Sequence, residues 1–225
     1  MNSSDGEIGP LRIVSAFARI LANAAERADA AIMLIDVGPN LGAINRAALI
    51  AADFVAIPLG PDLFSLQGLR NLGPSLREWR DGWSQRRSRN KKPDVVIPGG
   101  EMLPAGYIMV RHSVRMDRPV KAFDRWMKRV PSAYRTEMLQ EPPAEPDVKP
   151  ETDPHCLGRL KDYRSLMALA QEANKPMFML RPADGAIGGH QAAVTACYQD
   201  FKALSEKIAE RCHFPVRDPL ADLLG

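Results

Sequence analysis

Residues 30–42 have the sequence Ala-Ala-Ile-Met-Leu-Ile-Asp-Val-Gly-Pro-Asn-Leu-Gly. Their first six residues form a continuous apolar run, the pattern of a strand buried on both faces, as in a parallel sheet. The run ends at Asp36, and a turn cluster follows in which Asn40 is able to cap a helix. The sequence therefore predicts a strand that ends in a carboxylate, then a turn and a helix.

The flanking residues continue this alternation. Apolar residues at helical spacing predict an amphipathic helix over about 10–28. The sequence next predicts a helix over 41–52, a second buried strand over 54–57, and a helix over 63–79 with Asp62 as its cap. The alternation indicates an α/β fold in which helices flank a mostly parallel sheet with right-handed crossovers.

The sequence predicts two irregular segments after residue 80. Residues 81–104 are basic, polar and turn-rich and are expected to form a surface excursion, and residues 141–155 form an acidic, proline-rich loop. The regular elements predicted here are a strand over 105–110, a helix over 117–130, a helix over 157–173, a short strand over 177–180 and a terminal helix over 186–211. The length of 225 residues suits one domain.

The composition is that of an ordinary globular protein, with 45% hydrophobic and 25% charged residues. No apolar run is long enough to span a bilayer, and the polar start lacks the features of a secretory signal, so a cytoplasmic location is expected. The 3 Cys and 4 His show no metal-ligand spacing. A zinc site or a disulfide framework is therefore not expected.

Asp36 is the candidate for chemistry. The carboxyl end of a parallel strand is where α/β folds place their ligands, and a buried carboxylate usually has a partner or a metal. Gly38 lets the backbone approach a ligand closely, and Pro39 stiffens the loop. Such a loop is able to hold Mg²⁺ through water and to sense a γ-phosphate. The pattern alone leaves a second interpretation open, in which Asp36 only caps the next turn.

Three spaced segments together resemble the ParA/Soj/MinD family of deviant Walker ATPases. Residues 30–39 are similar to its "strand–D-x-P-P" loop, residues 45–53 to its "N-A-L-x-A-A-D" helix end, and residues 55–69 to its "strand–P-x-x-P-x-x-x-x-L-x-G-L" segment. Residues 107–110 and 175–178 match more loosely. The resemblance implies a three-layer P-loop NTPase-like (Rossmann-like) fold. It also implies an ATP-dependent dimerising switch for plasmid or chromosome partition or for cellular positioning, with ATP and Mg²⁺ as cofactors of an intact relative.

The resemblance also assigns roles. Asp36 matches the switch aspartate that acts on Mg²⁺ and its waters. Gly38 replaces the first proline of D-x-P-P, and Pro39 matches the second, so both are candidates for nucleotide contact. Pro61 and the pair Gln67-Gly68 match the segment that builds the nucleotide-sensitive dimer face.

The family's phosphate-binding sequence K-G-G-x-G-K-[ST]-[ST] does not occur in the 225 residues. Residues 99–101 and 185–190 are glycine-rich, but neither has the Gly-Lys-Ser/Thr ending that cradles phosphates. The chain therefore resembles the C-terminal portion of a ParA-like protein, without the N-terminal strand and P-loop. We expect no bound cofactor and no ATPase activity from this chain alone. A non-catalytic interaction module and an unrelated α/β enzyme using Asp36 as acid or base are the alternatives.

Two groups of basic residues are candidates for non-specific DNA contact through phosphates. The first group comprises Arg86, Arg87, Arg89, Lys91 and Lys92, and the second comprises Arg125, Lys128 and Arg129. A solvated surface is the alternative interpretation for both. The resemblance further implies a homodimer and a ParB-like or cargo protein as partners.

Overall fold

The computed structural model describes residues 5–38, 40–89, 97–110 and 125–214. Its helices and strands are, in chain order, α1 Asp5–Ala28, α2 Ala43–Ala51, β1 Phe54–Leu59, α3 Leu63–Arg89, β2 Leu103–Val110, α4 Val130–Tyr134, β3 Cys156–Leu160, α5 Ser165–Ala173 and α6 Gly189–Cys212. A π-helical turn, Arg135–Leu139, continues α4, and two 3₁₀ turns, Met177–Met179 and Pro182–Asp184, lie between α5 and α6.

The three strands form one sheet in the order β1-β2-β3. Strand β2 pairs with β3 in parallel, with Tyr107 opposite Cys156 and Val110 opposite Leu160. The predicted α/β class, with helices flanking a parallel sheet, is confirmed and is compatible with a P-loop NTPase-like fold. In β1, Val55, Ile57 and Leu59 are buried while the residues between them are exposed. This strand is therefore covered on one face only, not on both as predicted.

The chain divides into two compact units. The first contains Met1–Val55, Leu69–Pro104 and Glu137–Leu139, and the second contains Ala56–Gly68, Ala105–Thr136 and Gln140–Gly225. In the first unit α1 packs against α2. In the second unit α6 packs against β3, and a core cluster forms around Tyr163, Leu166 and Cys197.

Several predicted elements are confirmed, although their ends differ. The predictions for α1, α2, β2 and α6 hold, and β1 continues through Pro58 to Leu59. Helix α3 runs ten residues beyond the predicted end, to Arg89, so the first part of the expected surface excursion is helical. Of the predicted helix over 117–130, residues 117–124 lie outside the described residues. No regular helix or strand forms over 141–155, as expected.

Two predictions in the second unit are wrong. The predicted helix over 157–173 is divided into strand β3 and helix α5, because Cys156–Leu160 bonds to β2. The predicted strand over 177–180 is a 3₁₀ turn, Met177–Met179. Within the described part of the chain, no helix is both long and apolar enough to cross a membrane.

Candidate functional site

Asp36 lies in an exposed segment and not at the end of a buried strand. Residues 32–38 have no regular secondary structure, and the side chains of Ile32, Met33 and Leu34 are 46%, 40% and 90% exposed. A strand needs a hydrogen-bonded neighbour, and no strand of the described sheet pairs with this segment. The prediction of a buried strand over 30–35, ending at Asp36, is therefore wrong, although the apolar composition of these residues is plain in the sequence.

The loop after Asp36 is held by two asparagines. The Oδ1 atom of Asn40 accepts the Gly42 N–H at 3.1 Å, which closes a turn before α2. The Nδ2 group of Asn45, in α2, lies 3.0 Å from the Gly38 carbonyl oxygen and 2.7 Å from that of Asn40. It also lies 3.1 Å from Asn40 Oδ1. Asn45 thus ties residues 38–42 to the helix that follows them.

The carboxylate of Asp36 is exposed, two residues before this tied loop, and Gly38 is exposed as well. Pro39, the third candidate, lies outside the described residues. An exposed carboxylate suits a hydrated Mg²⁺, which usually keeps several waters and takes one or two protein carboxylates beside substrate phosphates. Across the described ranges, no group of three or more His, Cys, Asp or Glu side chains forms a metal-binding cluster.

A second polar turn follows β1, at its carboxyl end. The Ser65 N–H donates to Asp62 Oδ1 at 2.7 Å, so the prediction that Asp62 caps α3 is confirmed. The Ser65 hydroxyl in turn accepts the Gly60 N–H at 2.9 Å. In this turn Pro61 is half-buried, while Gly68, one turn into α3, is exposed. Backbone and side-chain polar groups of the turn are therefore paired locally.

The first basic group lies on the last turns of α3. Arg86 and Arg89 are exposed, and Lys91 and Lys92 lie outside the described residues. Arg87 Nη1 donates to the Gly99 carbonyl oxygen at 2.6 Å. Among the described residues of this group, Arg87 is therefore engaged in a structural hydrogen bond, whereas Arg86 and Arg89 are exposed.

The same helix binds the 98–102 segment through two further side chains. Arg80 donates to the carbonyl oxygens of Glu101 and Met102 at 2.6 and 2.9 Å. Trp83 is 1% exposed and donates from Nε1 to the Pro98 carbonyl oxygen at 2.9 Å. The Trp83 indole is thus a core residue, and its ring has no free face for a nucleic acid base.

The second basic group is exposed as predicted. Arg125, Lys128 and Arg129 are all exposed, whereas the neighbouring Met127 is 7% exposed. The guanidinium carbons of Arg125 and Arg129 lie 5.9 and 5.2 Å from the Trp126 ring centroid. Both arginines therefore stack on an aromatic surface and hold their charge at the protein surface.

Asn45 organises the loop, and its role is not predicted from the sequence. Its signal was an amide side chain in the alanine-rich stretch Ala43–Ala51, seven residues after Gly38. An amide at a helix position usually remains in solvent. A contact across the preceding turn becomes evident only when the loop geometry is known.

Residues 12–86 match the family described as AAA domain. The match covers a third of the chain and includes most of α1, the Asp36 segment, α2, β1 and most of α3. This part of the chain is therefore similar to AAA domains. No curated protein matches the chain.

Among solved structures, the chain is similar to protein DIP2308 from Corynebacterium diphtheriae. The sequence identity is 22% and the TM-score is 0.40. The similarity covers 87% of this chain and 56% of that protein, so the chain spans little more than half of the length of the protein that it matches.

Proposed function

We propose that the chain is a ParA-like nucleotide-switch protein in which Asp36 acts on Mg²⁺ through water. We also propose that its 225 residues hydrolyse no ATP on their own. The observation that carries the proposal is the AAA domain match over residues 12–86, because Asp36, Gly38 and Pro39 lie within it. The exposed Asp36 carboxylate beside the loop tied by Asn45 is the geometric support.

The expected inactivity follows from the phosphate chemistry. Phosphoryl transfer depends almost entirely on positioning and on charge stabilisation around the phosphates. The sequence contains no Gly-rich loop ending in Gly-Lys-Ser/Thr, and Asp36 alone offers no positive charge. A phosphate-binding loop supplied in addition to these residues is therefore needed for turnover.

Nucleotide binding and hydrolysis are measured separately on the chain and on Asp36→Asn. We expect phosphate release with Mg-ATP at the background rate for both proteins. A rise in melting temperature with Mg-ATP is expected only if a nucleotide site is present, since binding to the folded state would raise it. Mg-dependent turnover that Asp36→Asn abolishes would contradict the proposed inactivity. Stabilisation by Mg-ATP that depends on Asp36, without turnover, would instead support the switch and show that a nucleotide site exists.

Non-specific DNA binding is a further part of this proposal. It rests on the exposed Arg86 and Arg89 and, separately, on Arg125, Lys128 and Arg129. Contacts to phosphates release counterions, so the affinity for random duplex DNA should fall steeply between 50 and 200 mM salt, as a protein with several phosphate contacts does. Replacing Arg86 and Arg89 by Gln, or the second group by Gln, should weaken binding and reduce the salt slope. Anisotropy titrations that show no salt dependence exclude this role.

A second candidate function is a non-catalytic interaction module, and the exposed apolar side chains of Ile32, Met33 and Leu34 favour it. Such a module would use the ParA-like surface to bind a second copy or a cargo protein. The two candidates differ in one measurement. Stabilisation by Mg-ATP favours the switch, whereas association that Mg-ATP does not alter favours the module.

A further inference from the structure

A serine and a histidine form a hydrogen-bonded pair in the second unit, where two helices begin. Ser165 is the first residue of α5, and His190 is the second residue of α6. Ser165 Oγ lies 2.9 Å from His190 Nε2. The serine is exposed and the histidine is half-buried, so the pair is open to molecules in solution. A hydroxyl within hydrogen-bond reach of an imidazole nitrogen is the arrangement in which a base activates a nucleophile.

Ser165 follows a strained turn between β3 and α5. Arg164 has φ 47° and ψ −118°, a backbone conformation that strains a residue with a side chain. The same conformation occurs before α6, where Gly188 adopts it without this strain. Nucleophilic serines of α/β hydrolytic enzymes are presented on sharp, strained turns between a strand and a helix. Here the strained residue is the one directly before the serine.

Several contacts hold this turn in place. The Arg164 N–H donates to Asp162 Oδ1 at 2.9 Å. The Tyr163 hydroxyl donates to Asp200 Oδ2 at 2.9 Å, and the Tyr163 ring belongs to the core cluster of the second unit. Leu166 is 1% exposed and anchors the first turn of α5 in the same cluster. The serine hydroxyl therefore projects from a fixed backbone.

The pair follows the carboxyl end of β3, which is parallel to β2. This is the end of the strands at which α/β folds place their ligand chemistry. The backbone N–H groups of Ser165 and Gly189, the first residues of the two helices, have no acceptor among the described residues. Fixed N–H groups at a helix N-terminus stabilise negative charge that develops beside them. The two helix ends are therefore suited to an oxyanion next to the serine.

An apolar side chain lies close to the pair in sequence. Ile187, three residues before His190, is 67% exposed. A Cβ atom added to Gly185 would lie 3.1 Å from Leu169 Cδ2, so the segment before α6 packs on α5. The exposed isoleucine offers a surface for a small apolar group and no charge. An uncharged ester with a short acyl chain is the class of substrate that matches it.

We infer that Ser165 and His190 form a nucleophile–base pair that cleaves small carboxylic esters. Ser165 Oγ attacks the carbonyl carbon, and His190 Nε2 accepts the hydroxyl proton. The C–O bond to the alcohol then breaks, and the alcohol leaves with that proton. In the second half of the reaction water attacks the acyl group and gives a proton to Nε2. The bond to Oγ breaks, the carboxylic acid departs, and the serine oxygen recovers the proton.

The pair lacks the third member of a triad. No described side chain is hydrogen-bonded to the other ring nitrogen of His190, so nothing among the described residues fixes the tautomer that accepts the serine proton. Slow turnover is therefore expected. The activity is independent of the proposed nucleotide switch, because both residues lie outside 12–86 and neither ATP nor Mg²⁺ takes part.

An alkyl fluorophosphonate tests the pair without requiring turnover. The serine oxygen displaces fluoride from phosphorus, its proton passes to the histidine, and the protein retains the phosphonyl group. We expect the whole chain, without ATP or Mg²⁺, to be labelled at Ser165, as located by peptide mass spectrometry. His190→Gln should slow the labelling at least about tenfold, since a positioned general base contributes about 10²–10⁴-fold. Ser165→Ala should lose this label and the hydrolysis of p-nitrophenyl acetate.

Ser205→Ala and His213→Gln are the controls, because they remove an exposed serine and an exposed histidine of the same unit. Neither should change the rate of labelling or of hydrolysis. A parent chain without label at Ser165 overturns the inference, and so does an equal rate in His190→Gln. Hydrolysis that persists in Ser165→Ala also overturns it. Circular dichroism shows whether each variant is folded, and His190→Gln, which keeps the serine, decides the question if Ser165→Ala does not fold.

Discussion

Asn45 holds the loop that follows Asp36 through a single side-chain amide. It lies within hydrogen-bond distance of the Gly38 carbonyl oxygen and of two oxygen atoms of Asn40. We predict that Asn45→Ala lowers the free energy of unfolding by about 1 kcal/mol, the contribution of a typical intramolecular hydrogen bond. Limited proteolysis within 36–42 should also become faster, because the loop loses its link to α2.

Asn23→Ala is the matched control for this change. Asn23 is an exposed residue of α1, so the substitution gives the same gain in helix propensity without breaking a described contact. Urea unfolding of the two variants should differ in midpoint, with Asn23→Ala neutral or slightly stabilising. Equal effects would mean that the Asn45 contacts contribute nothing to the folded state.

Tyr107 and Tyr163 each donate a hydroxyl hydrogen bond to an aspartate, but the two aspartates differ in burial. The Tyr107 hydroxyl donates to the buried Asp153 at 2.8 Å, whereas the Tyr163 hydroxyl donates at 2.9 Å to Asp200, whose side chain is 33% exposed and has Lys161 at 3.3 Å. We predict that Tyr107→Phe costs about 1.5–3 kcal/mol, the range for a bond to a charged group. Tyr163→Phe should cost less than about 1 kcal/mol, because water and Lys161 still solvate Asp200. Thermal or urea unfolding measures both, and the reverse order would contradict the assigned burial of Asp153.

Helix α3 packs closely against the π-helical turn Arg135–Leu139 at Gly73. A Cβ atom on Gly73 would overlap the Glu137 carbonyl oxygen, to which Arg77 Nη1 donates at 2.6 Å. We predict that Gly73→Ala destabilises the fold by about 1–3 kcal/mol, the cost of overpacking, despite the better helix propensity of alanine.

Gly82 in the same helix provides the control. Nothing lies within 4 Å of a Cβ atom added there. Gly82→Ala should therefore raise the free energy of unfolding by about 0.5–1 kcal/mol, the difference between glycine and alanine in a helix. Chemical denaturation of the two variants should give opposite signs. A stabilising Gly73→Ala would show that α3 and the turn do not meet as described.

The extent to which sequence predicts these elements depends on where their hydrogen bonds lie. Helices bond within themselves, so periodicity alone located α1, α3 and α6. A strand bonds to distant residues, and two apolar runs show the difference. Cys156–Leu160 has a pattern compatible with a helix but becomes a strand because β2 lies beside it. The run before Asp36 has the pattern of a strand but finds no neighbour among the described strands.

In the candidate site, too, the sequence predicts local features but not contacts between residues that the fold brings together. The sequence pattern singled out Asp36 because an acidic residue followed by a glycine and a proline is visible locally. It did not reveal that Asn45 ties the loop, since this contact spans seven residues across a turn. It also placed Arg87 among the candidate DNA contacts, although the Arg87 guanidinium donates to the Gly99 carbonyl oxygen. Charged residues and motifs are visible in the local sequence. Whether their side chains are free to bind a ligand depends on the fold.

At the scale of the whole molecule, the exposed apolar segment predicts association. Leu34 is 90% exposed and follows two further exposed apolar side chains, Ile32 and Met33, and patches of this kind often mark interaction sites or aggregation liabilities. We predict that the chain self-associates with rising concentration and that Leu34→Lys reduces the association at least severalfold, because a charge is costly to bury in a contact. Analytical ultracentrifugation measures this.

Met167→Lys is the control for the association experiment. Met167 is 51% exposed on α5, away from the segment around Leu34 in sequence and in a different unit. The substitution changes charge and hydrophobicity in a similar way, so it should leave the sedimentation profile unchanged. A parent chain that sediments as a monomer at all concentrations would rule out the 32–34 segment as a self-association surface.

The packing of Trp83 gives the protein an intrinsic optical reporter. Its indole is enclosed, bonded to the Pro98 carbonyl oxygen and covered by Gly100, whose φ of 73° and lack of a side chain permit the contact. Trp79 and Trp126, by contrast, are half-exposed. Dissolved quenchers such as acrylamide should therefore extinguish the emission of those two indoles first, and the remaining blue-shifted light should come from Trp83. Opening of the 98–102 segment would then be visible as a red shift, without any attached dye.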